Sequence, residues 1–248
     1  MTNKTNSADH AYPIFFIYDI SLDPGRRSMS IFSKSIRKKI LAQHLDVEPE
    51  SLRFSKGAHG KPILKGKSDL HFNISHTDNY WIMALSKENE IGVDMEHHKD
   101  RKNMDGIVSS YFHSAEHEEY QKQKSDADKK DFFYHIWTRK EAYAKYLGLG
   151  LNYDFSSSDF RNNDTPSVTI STTLIPNTKG YHSTTVSIAH KNMPDKIRVY
   201  GNTPLKKLSF SASESVMTSI AQPPCSTQTI AGSNSPPTTK LSVDVAPL

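Results

Sequence analysis

Asp94 and Glu96 lie two apart in the run Ile91-Gly92-Val93-Asp94-Met95-Glu96. In a strand, residues i and i+2 share a face. The two carboxylates would then stand side by side, with Val93 and Met95 turned to a buried face. Adjacent carboxylates repel, and a hard divalent cation between them relieves that repulsion. The same pair would also suit the solvated face of an ordinary edge strand. Further along, Trp137, Glu141 and Lys145 recur every four residues and line one face of a helix. Glu141 four residues before Lys145 is equally the spacing of a surface ion pair, worth about 0.3–0.5 kcal/mol. Trp137 by itself reads as core.

Two polar turns add further candidates. Phe72-Asn73-Ile74-Ser75-His76 ends a strand where His76 could meet a phosphate, although a lone histidine more commonly sits hydrogen-bonded at the surface. His59-Gly60-Lys61-Pro62 sets a lysine between a residue that permits close approach and one that stiffens the loop; alone it is only a turn. His113-Ser114-Ala115-Glu116-His117 has the spacing H-x-x-E-H. On a helix that puts His113 and His117 on one face, the inverted zinc-peptidase arrangement. The chain has 12 histidines, which makes an accidental match easy, and a third ligand would be needed. His97-His98 is a weaker metal candidate, since strand neighbours point to opposite faces.

The elements that must position these residues alternate between helix and strand. Phe32, Ile36, Ile40, Leu41 and Leu45 recur at helical spacing, with Lys34, Arg37, Lys38 and Lys39 on other faces. Gly57, Gly60 and Pro62 punctuate a loop. His71–Ser75, Tyr80–Ser86 and Ile91–Glu96 read as strands. Ser114 to about Gln123 reads as a short helix with Ser114 as N-cap, Lys124–Lys130 as a loop, and Asp131–Leu147 as a strong helix ending at Gly148. Val, Ile and Thr-rich segments in 151–200 predict strands. The expected class is mixed α/β (α+β) in two comparable halves, 11–90 and 91–200. Residues 1–10 and most of the Ser/Thr/Pro-rich tail 201–248, about 211 onward, are expected to be disordered. A short strand near Lys206–Ser211 is the alternative there.

Composition sets bounds. The 248 residues contain 35% apolar residues. No apolar run is long enough for a transmembrane helix. Ile14-Phe15-Phe16-Ile17 is too short for a signal-peptide core. The single cysteine, Cys225, excludes an intrachain disulfide and a cysteine zinc cluster. These features lead us to expect a cytoplasmic protein without membrane association. A net charge of +4 suits an acidic partner but does not argue for nucleic acid.

The candidates occur in a telling order. Gly60-Lys61-Pro62, Phe72 to His76, Ile91 to Glu96, Phe112 with Glu116, Phe133-Tyr134, Trp137-Thr138-Arg139-Lys140-Glu141-Ala142-Tyr143-Ala144-Lys145 and Gly148-Leu149-Gly150-Leu151 follow one another. This series resembles the 4'-phosphopantetheinyl transferases of the surfactin-synthetase-activating (Sfp-like) type, over residues 24–155 well and 156–200 loosely. The resemblance implies two similar α/β halves in a pseudo-twofold arrangement, with coenzyme A as co-substrate in the cleft between them. It implies magnesium, or manganese, held by Asp94, Glu96 and Glu141, with Glu141 as general base and Lys145 stabilising phosphate. It places Ser75 and His76 at a phosphate-binding turn, Lys61 and Pro62 beside the nucleotide, and Arg27 and Ser28 on the nucleotide side. The implied partner is an acyl, peptidyl or polyketide carrier protein, and the expected enzyme is a monomer.

One departure stands out. Tyr18 to Pro24 runs almost directly into Arg26-Arg27-Ser28, where the family carries a longer stretch with basic residues for the 3'-phosphate of coenzyme A. This departure leaves one alternative, a non-catalytic member with impaired coenzyme A binding; the H-x-x-E-H spacing leaves another, a zinc hydrolase built on His113, Glu116 and His117.

Overall fold

The computed structural model describes residues 13–22, 28–66, 69–87, 89–162, 164–165, 168–176, 182–191, 196–201 and 242–246. The expectation for 1–10, the alternative strand at 206–211 and Arg27 lie outside them. In chain order the elements are β1 (Ile14–Asp19), α1 (Met29–Leu45), β2 (Phe54–Lys56), β3 (Pro62–Leu64), β4 (Leu70–His76), β5 (Tyr80–Lys87), β6 (Ile91–His97), α2 (Met104–Tyr111), α3 (Ser114–Gln121), α4 (Asp126–Leu147), β7 (Asp164–Thr165), β8 (Val168–Ile175), β9 (Thr184–His190), β10 (Lys196–Gly201) and β11 (Ser242–Ala246). No helix among the described residues is long and apolar enough to cross a membrane.

Two sheets organise the chain. One has the order β11-β10-β1-β5-β4 and the other β6-β9-β8-β7, with β2 and β3 forming a separate hairpin. Strand alternation decides what each face meets. On β1, Phe15 and Ile17 turn inward with Ile82 and Ala84 of β5, against Val93 and Met95 of β6 and Val186 and Ile188 of β9. Ile14, Phe16 and Tyr18, with Trp81, Met83 and Leu85, turn outward and pack beneath Ile40 and Leu41 of α1. On the other side, Ala142 of α4 shares a cluster with Ile170 and Ala189 of the second sheet. The result is four layers, helix, sheet, sheet, helix, and each half repeats a helix-on-sheet plan. The mixed α/β expectation holds.

Several boundaries differ from the sequence reading. Helix α4 begins five residues earlier than expected, because Ser125 Oγ accepts from the Asp128 N–H at 3.1 Å and caps it. Its first turn carries Asp126 and Asp128, which favour the positive end of the helix dipole. It stops at Gly148, whose φ of 72° is the left-handed conformation that ends helices. Residues 196–201, expected in the second half, instead run parallel to β1 in the first half's sheet, Ile14 opposite Arg198. The tail is not wholly unstructured either: Ser242–Ala246 forms β11, parallel to β10. Its Ser-Val-Asp-Val-Ala sequence alternates with the period of a strand, which the surrounding Ser/Thr/Pro composition masks.

The two sheets meet along a seam of edge strands. Strand β6 is the edge of its sheet and β4 the edge of the other. An edge strand leaves outward N–H groups unpaired. Here side chains of β4 satisfy them: Asn73 Oδ1 accepts from the Val93 N–H at 2.9 Å, and Ser75 Oγ accepts from the Met95 N–H at 3.2 Å.

Candidate active site

Gly92 allows α4 to lie directly on β6. A Cβ at this position would fall 2.0 Å from the Ala142 carbonyl oxygen and 2.5 Å from the Tyr146 amide nitrogen, closer than any side chain can approach. Asp94, two residues on, shares the helix-facing side of β6. It is 3% exposed. Its Oδ1 accepts from Lys145 Nζ at 2.6 Å and from Ser75 Oγ at 3.0 Å. Lys145 Nζ also lies 3.2 Å from Ser75 Oγ. A β4 hydroxyl, a β6 carboxylate and an α4 ammonium thus converge at one point.

The remaining carboxylates make this point strongly acidic. Burial, and then the neighbouring Asp94 and Glu96 charges, push the Glu141 carboxyl up to about 7, against the opposing pull of Lys145. Glu96 is raised in the same way by burial and by Asp94, with Arg101 pulling it back. Its Oε2 accepts from Arg101 Nη2 at 3.2 Å. Burial alone would lower the Lys145 ammonium, but the Asp94 and Glu141 carboxylates outweigh it and hold the group above its ordinary value.

The donor set fits a hard divalent cation. All of its donors are oxygens, their mutual repulsion favours an added positive charge, and Asp94 Oδ2 is buried without a hydrogen-bond partner. Among the described residues no three acidic, histidine or cysteine side chains are already gathered as a metal cluster. Lys145 meanwhile supplies the positive charge at Asp94 Oδ1.

Beside this point lies a cavity of about 400 Å³. His59, Lys61 and Pro62 border it from the β2–β3 hairpin, His76 from the end of β4, and Lys145, Gly148 and Gly150 from the end of α4. Lys61 Nζ bonds Glu90 Oε2 at 2.6 Å. Ser28 is the N-cap residue of α1, with extended backbone and no capping hydrogen bond from its side chain. The sequence candidates Lys61, Pro62, Ser75, His76, Asp94 and Lys145 therefore meet at one cavity and its wall, with Glu141 and Glu96 coupled to them electrostatically.

The other sequence features resolve differently. Trp137 is core, stacked on Phe133 at 6.0 Å between centroids. Lys140, three residues further along the motif, is fully buried and bonds Glu116 Oε2 at 2.8 Å. Arg139 is also buried and donates to the carbonyls of Phe160 and Asn162. The H-x-x-E-H motif does not form a metal face. The helix starts at Ser114, so His113 is its N-cap rather than a helical residue, and its Nδ1 accepts from the Ala115 N–H. Glu116 turns inward, accepting from the His113 and Phe160 N–H groups as well as from Lys140. The zinc-hydrolase alternative loses its geometry. Sequence reasoning also missed Arg37: counted with the polar faces of α1, it lines the cavity.

A family model described as the 4'-phosphopantetheinyl transferase superfamily matches residues 90–197, and one described as 4'-phosphopantetheinyl transferase, N-terminal, matches residues 25–88. The chain is 32% identical over 131 residues to the 4'-phosphopantetheinyl transferase HetI of Nostoc sp., covering 52% of this chain and 55% of the relative. It is 29% identical over 124 residues to the 4'-phosphopantetheinyl transferase Sfp of Bacillus subtilis, covering 50% and 54%. It is 28% identical over 135 residues to the human L-aminoadipate-semialdehyde dehydrogenase-phosphopantetheinyl transferase, covering 50% and 43%. The chain thus spans about half the length of the curated relatives it matches.

Proposed function

We propose, from the premise that this chain belongs to the 4'-phosphopantetheinyl transferase superfamily, that it moves the phosphopantetheine arm of coenzyme A onto a serine of an acyl, peptidyl or polyketide carrier protein and releases adenosine 3',5'-bisphosphate. The observation that carries this reading is the convergence of Ser75 and Lys145, from two other sequence motifs, on the buried Asp94 carboxylate beside the cavity that Lys145 lines. The working form we infer is a cytoplasmic monomer.

The chemistry follows from the residues. The serine Oγ attacks the phosphorus that bears the pantetheine arm, a new P–O bond forms, and the bond to the bridging diphosphate oxygen breaks. The serine proton needs an acceptor. Glu141, held up to about 7 by burial and by Asp94 and Glu96, is poised to take it near neutral pH. Lys145 and His76 border the cavity and offset the charge that builds on the leaving phosphate. Asp94, Glu96 and Glu141 would hold magnesium, or manganese in its place. When bound, such an ion supplies positive charge to the diphosphate oxygens.

The test is transfer itself. The purified chain, with labelled coenzyme A and a panel of carrier proteins, should label a carrier serine when magnesium is present and not after chelation. No label on any carrier, together with a silent calorimetric titration of coenzyme A in magnesium, would instead mark a non-catalytic member.

A further inference from the structure

Glu96 has a partner of its own. Its Oε2 accepts from Arg101 Nη2 at 3.2 Å, and Arg101 Nε donates to the Tyr134 hydroxyl, also at 3.2 Å. Tyr134 is a fixed point. It is fully buried, its hydroxyl donates to the Lys99 carbonyl at 2.7 Å, and His98 stacks on its ring at 4.8 Å between centroids. His98 is itself pinned between Asp131 Oδ1 and Thr185 Oγ1, at 2.7 Å from each. A guanidinium carries its donors in a rigid plane. A hydroxyl that cannot shift therefore decides where the far end of the Arg101 fork points, and it points at Glu96.

The two carboxylate–cation pairs of the site are unequal. Asp94 and Lys145 meet at 2.6 Å with side chains 5% and 25% exposed, whereas Glu96 and Arg101 meet at 3.2 Å with side chains 28% and 36% exposed. The longer and more solvated pair is the weaker one. It is also the pair with room to open, since Glu96, Arg101 and Tyr134 line a second cavity, of about 250 Å³, together with His76 and His97. These commitments account for a feature of the site. Asp94, Glu96 and Glu141 act on one another electrostatically, yet among the described residues no three such side chains are gathered as a metal cluster. Asp94 is taken by Lys145, and Glu96 by Arg101.

Resting on the transferase reading above, we propose that Arg101 is a positioning residue: braced by Tyr134, it latches Glu96 out of the cation site and keeps the affinity for a divalent cation low until Glu96 changes partner. Arg101 and the cation compete for the same carboxylate. Two positive charges beside one carboxylate repel each other, so loading the site releases Arg101 into the adjoining cavity.

The experiment reads metal binding rather than transfer. The purified chain, stripped with a chelator, is titrated calorimetrically with manganese and with magnesium as wild type, Arg101→Gln and Arg101→Lys. Arg101→Gln should bind manganese about 2- to 10-fold more tightly, because a partly exposed ion pair no longer has to break and one positive charge has left. Arg101→Lys should fall between the two, since the charge survives while the fork is lost. Thermal melting gives a second readout: manganese should raise the melting temperature of Arg101→Gln further than that of the wild type, as tighter binding requires. A merely structural loss lowers the melting temperature with and without metal alike and leaves the affinity where it was. Manganese binding by Arg101→Gln that is equal to or weaker than that of the wild type overturns the latch and leaves the transferase reading intact. A wild type that binds neither ion, and whose melting responds to neither, overturns the latch together with the cation site of that reading.

Discussion

Lys145 Nζ stands 2.6 Å from Asp94 Oδ1, so the helix that carries Glu141 also clamps the strand carboxylate. The second oxygen of Asp94 is buried and receives no hydrogen bond. A site arranged in this way is short of positive charge, and its behaviour should change when positive charge is supplied or negative charge removed.

Removing the base tests its role directly. Glu141→Gln keeps the shape of the side chain but cannot accept a proton. Transfer should fall by about 10²–10⁴-fold, the usual contribution of general-base catalysis. The same variant relieves repulsion with Asp94 and Glu96, so without metal its melting temperature at pH 8 should match or exceed that of the wild type. Transfer at the normal rate would remove Glu141 from the mechanism.

The raised Glu141 pKa also sets a pH dependence. Between the ordinary carboxylate value and about 7, the folded protein keeps a proton on Glu141 that the unfolded chain has lost. The folded state then binds more protons, so stability falls as pH rises through this window. Thermal melting of the metal-free protein should show that fall, and millimolar magnesium should flatten it by favouring the ionised form. Transfer should run the opposite way and increase from pH 5.5 toward 7.5 as the base ionises. A melting curve insensitive to both pH and magnesium would count against three interacting carboxylates.

The Glu116–Lys140 pair lies outside the reaction and should matter for folding alone. Both side chains are fully buried, and Lys140 also donates to the carbonyls of Phe155 and Ser158. Lys140→Met leaves the Glu116 carboxylate buried without its partner and should cost about 3–5 kcal/mol in urea unfolding. Adding Glu116→Gln should recover part of that loss. Strict additivity of the two changes would show that the pair is not coupled.

Gly92→Ala should be as damaging as a large core substitution. The new methyl would overlap the Ala142 carbonyl, so α4 must lift from β6. A loss of about 1–3 kcal/mol or more is expected from overpacking. Transfer should drop further than stability does, because the shift carries Lys145 and Glu141 away from Asp94. Unfolding and transfer measured on one preparation separate the two effects.

Much of this arrangement is legible from residue pattern. The period-two run around Asp94 and the helix from Asp131 to Leu147 lie where periodicity predicts them, because each buries one regular face. The convergence of Asp94 with Lys145 is not legible in this way: it depends on how closely α4 approaches β6, which Gly92 decides through space. Arg37 was hidden because its charge counts as surface, although its long stem and planar head suit an aromatic-lined wall. His113 misled for the opposite reason. Its spacing to His117 has meaning only within a helix, and the helix begins one residue after it. Ser125 with Asp128 is a capping signal that was present in the sequence but submerged in a polar stretch.

The parallel pairing of β10 with β1 has a consequence for how the molecule is made. Ile14 must wait for Arg198, nearly two hundred positions later, before the first sheet gains this neighbour. Such distant closure delays assembly relative to a hairpin-only order. A ribosome that has delivered the chain only as far as residue 90 has therefore produced a sheet with an open flank. Splitting the gene at that point should yield two fragments that fold well only in each other's company.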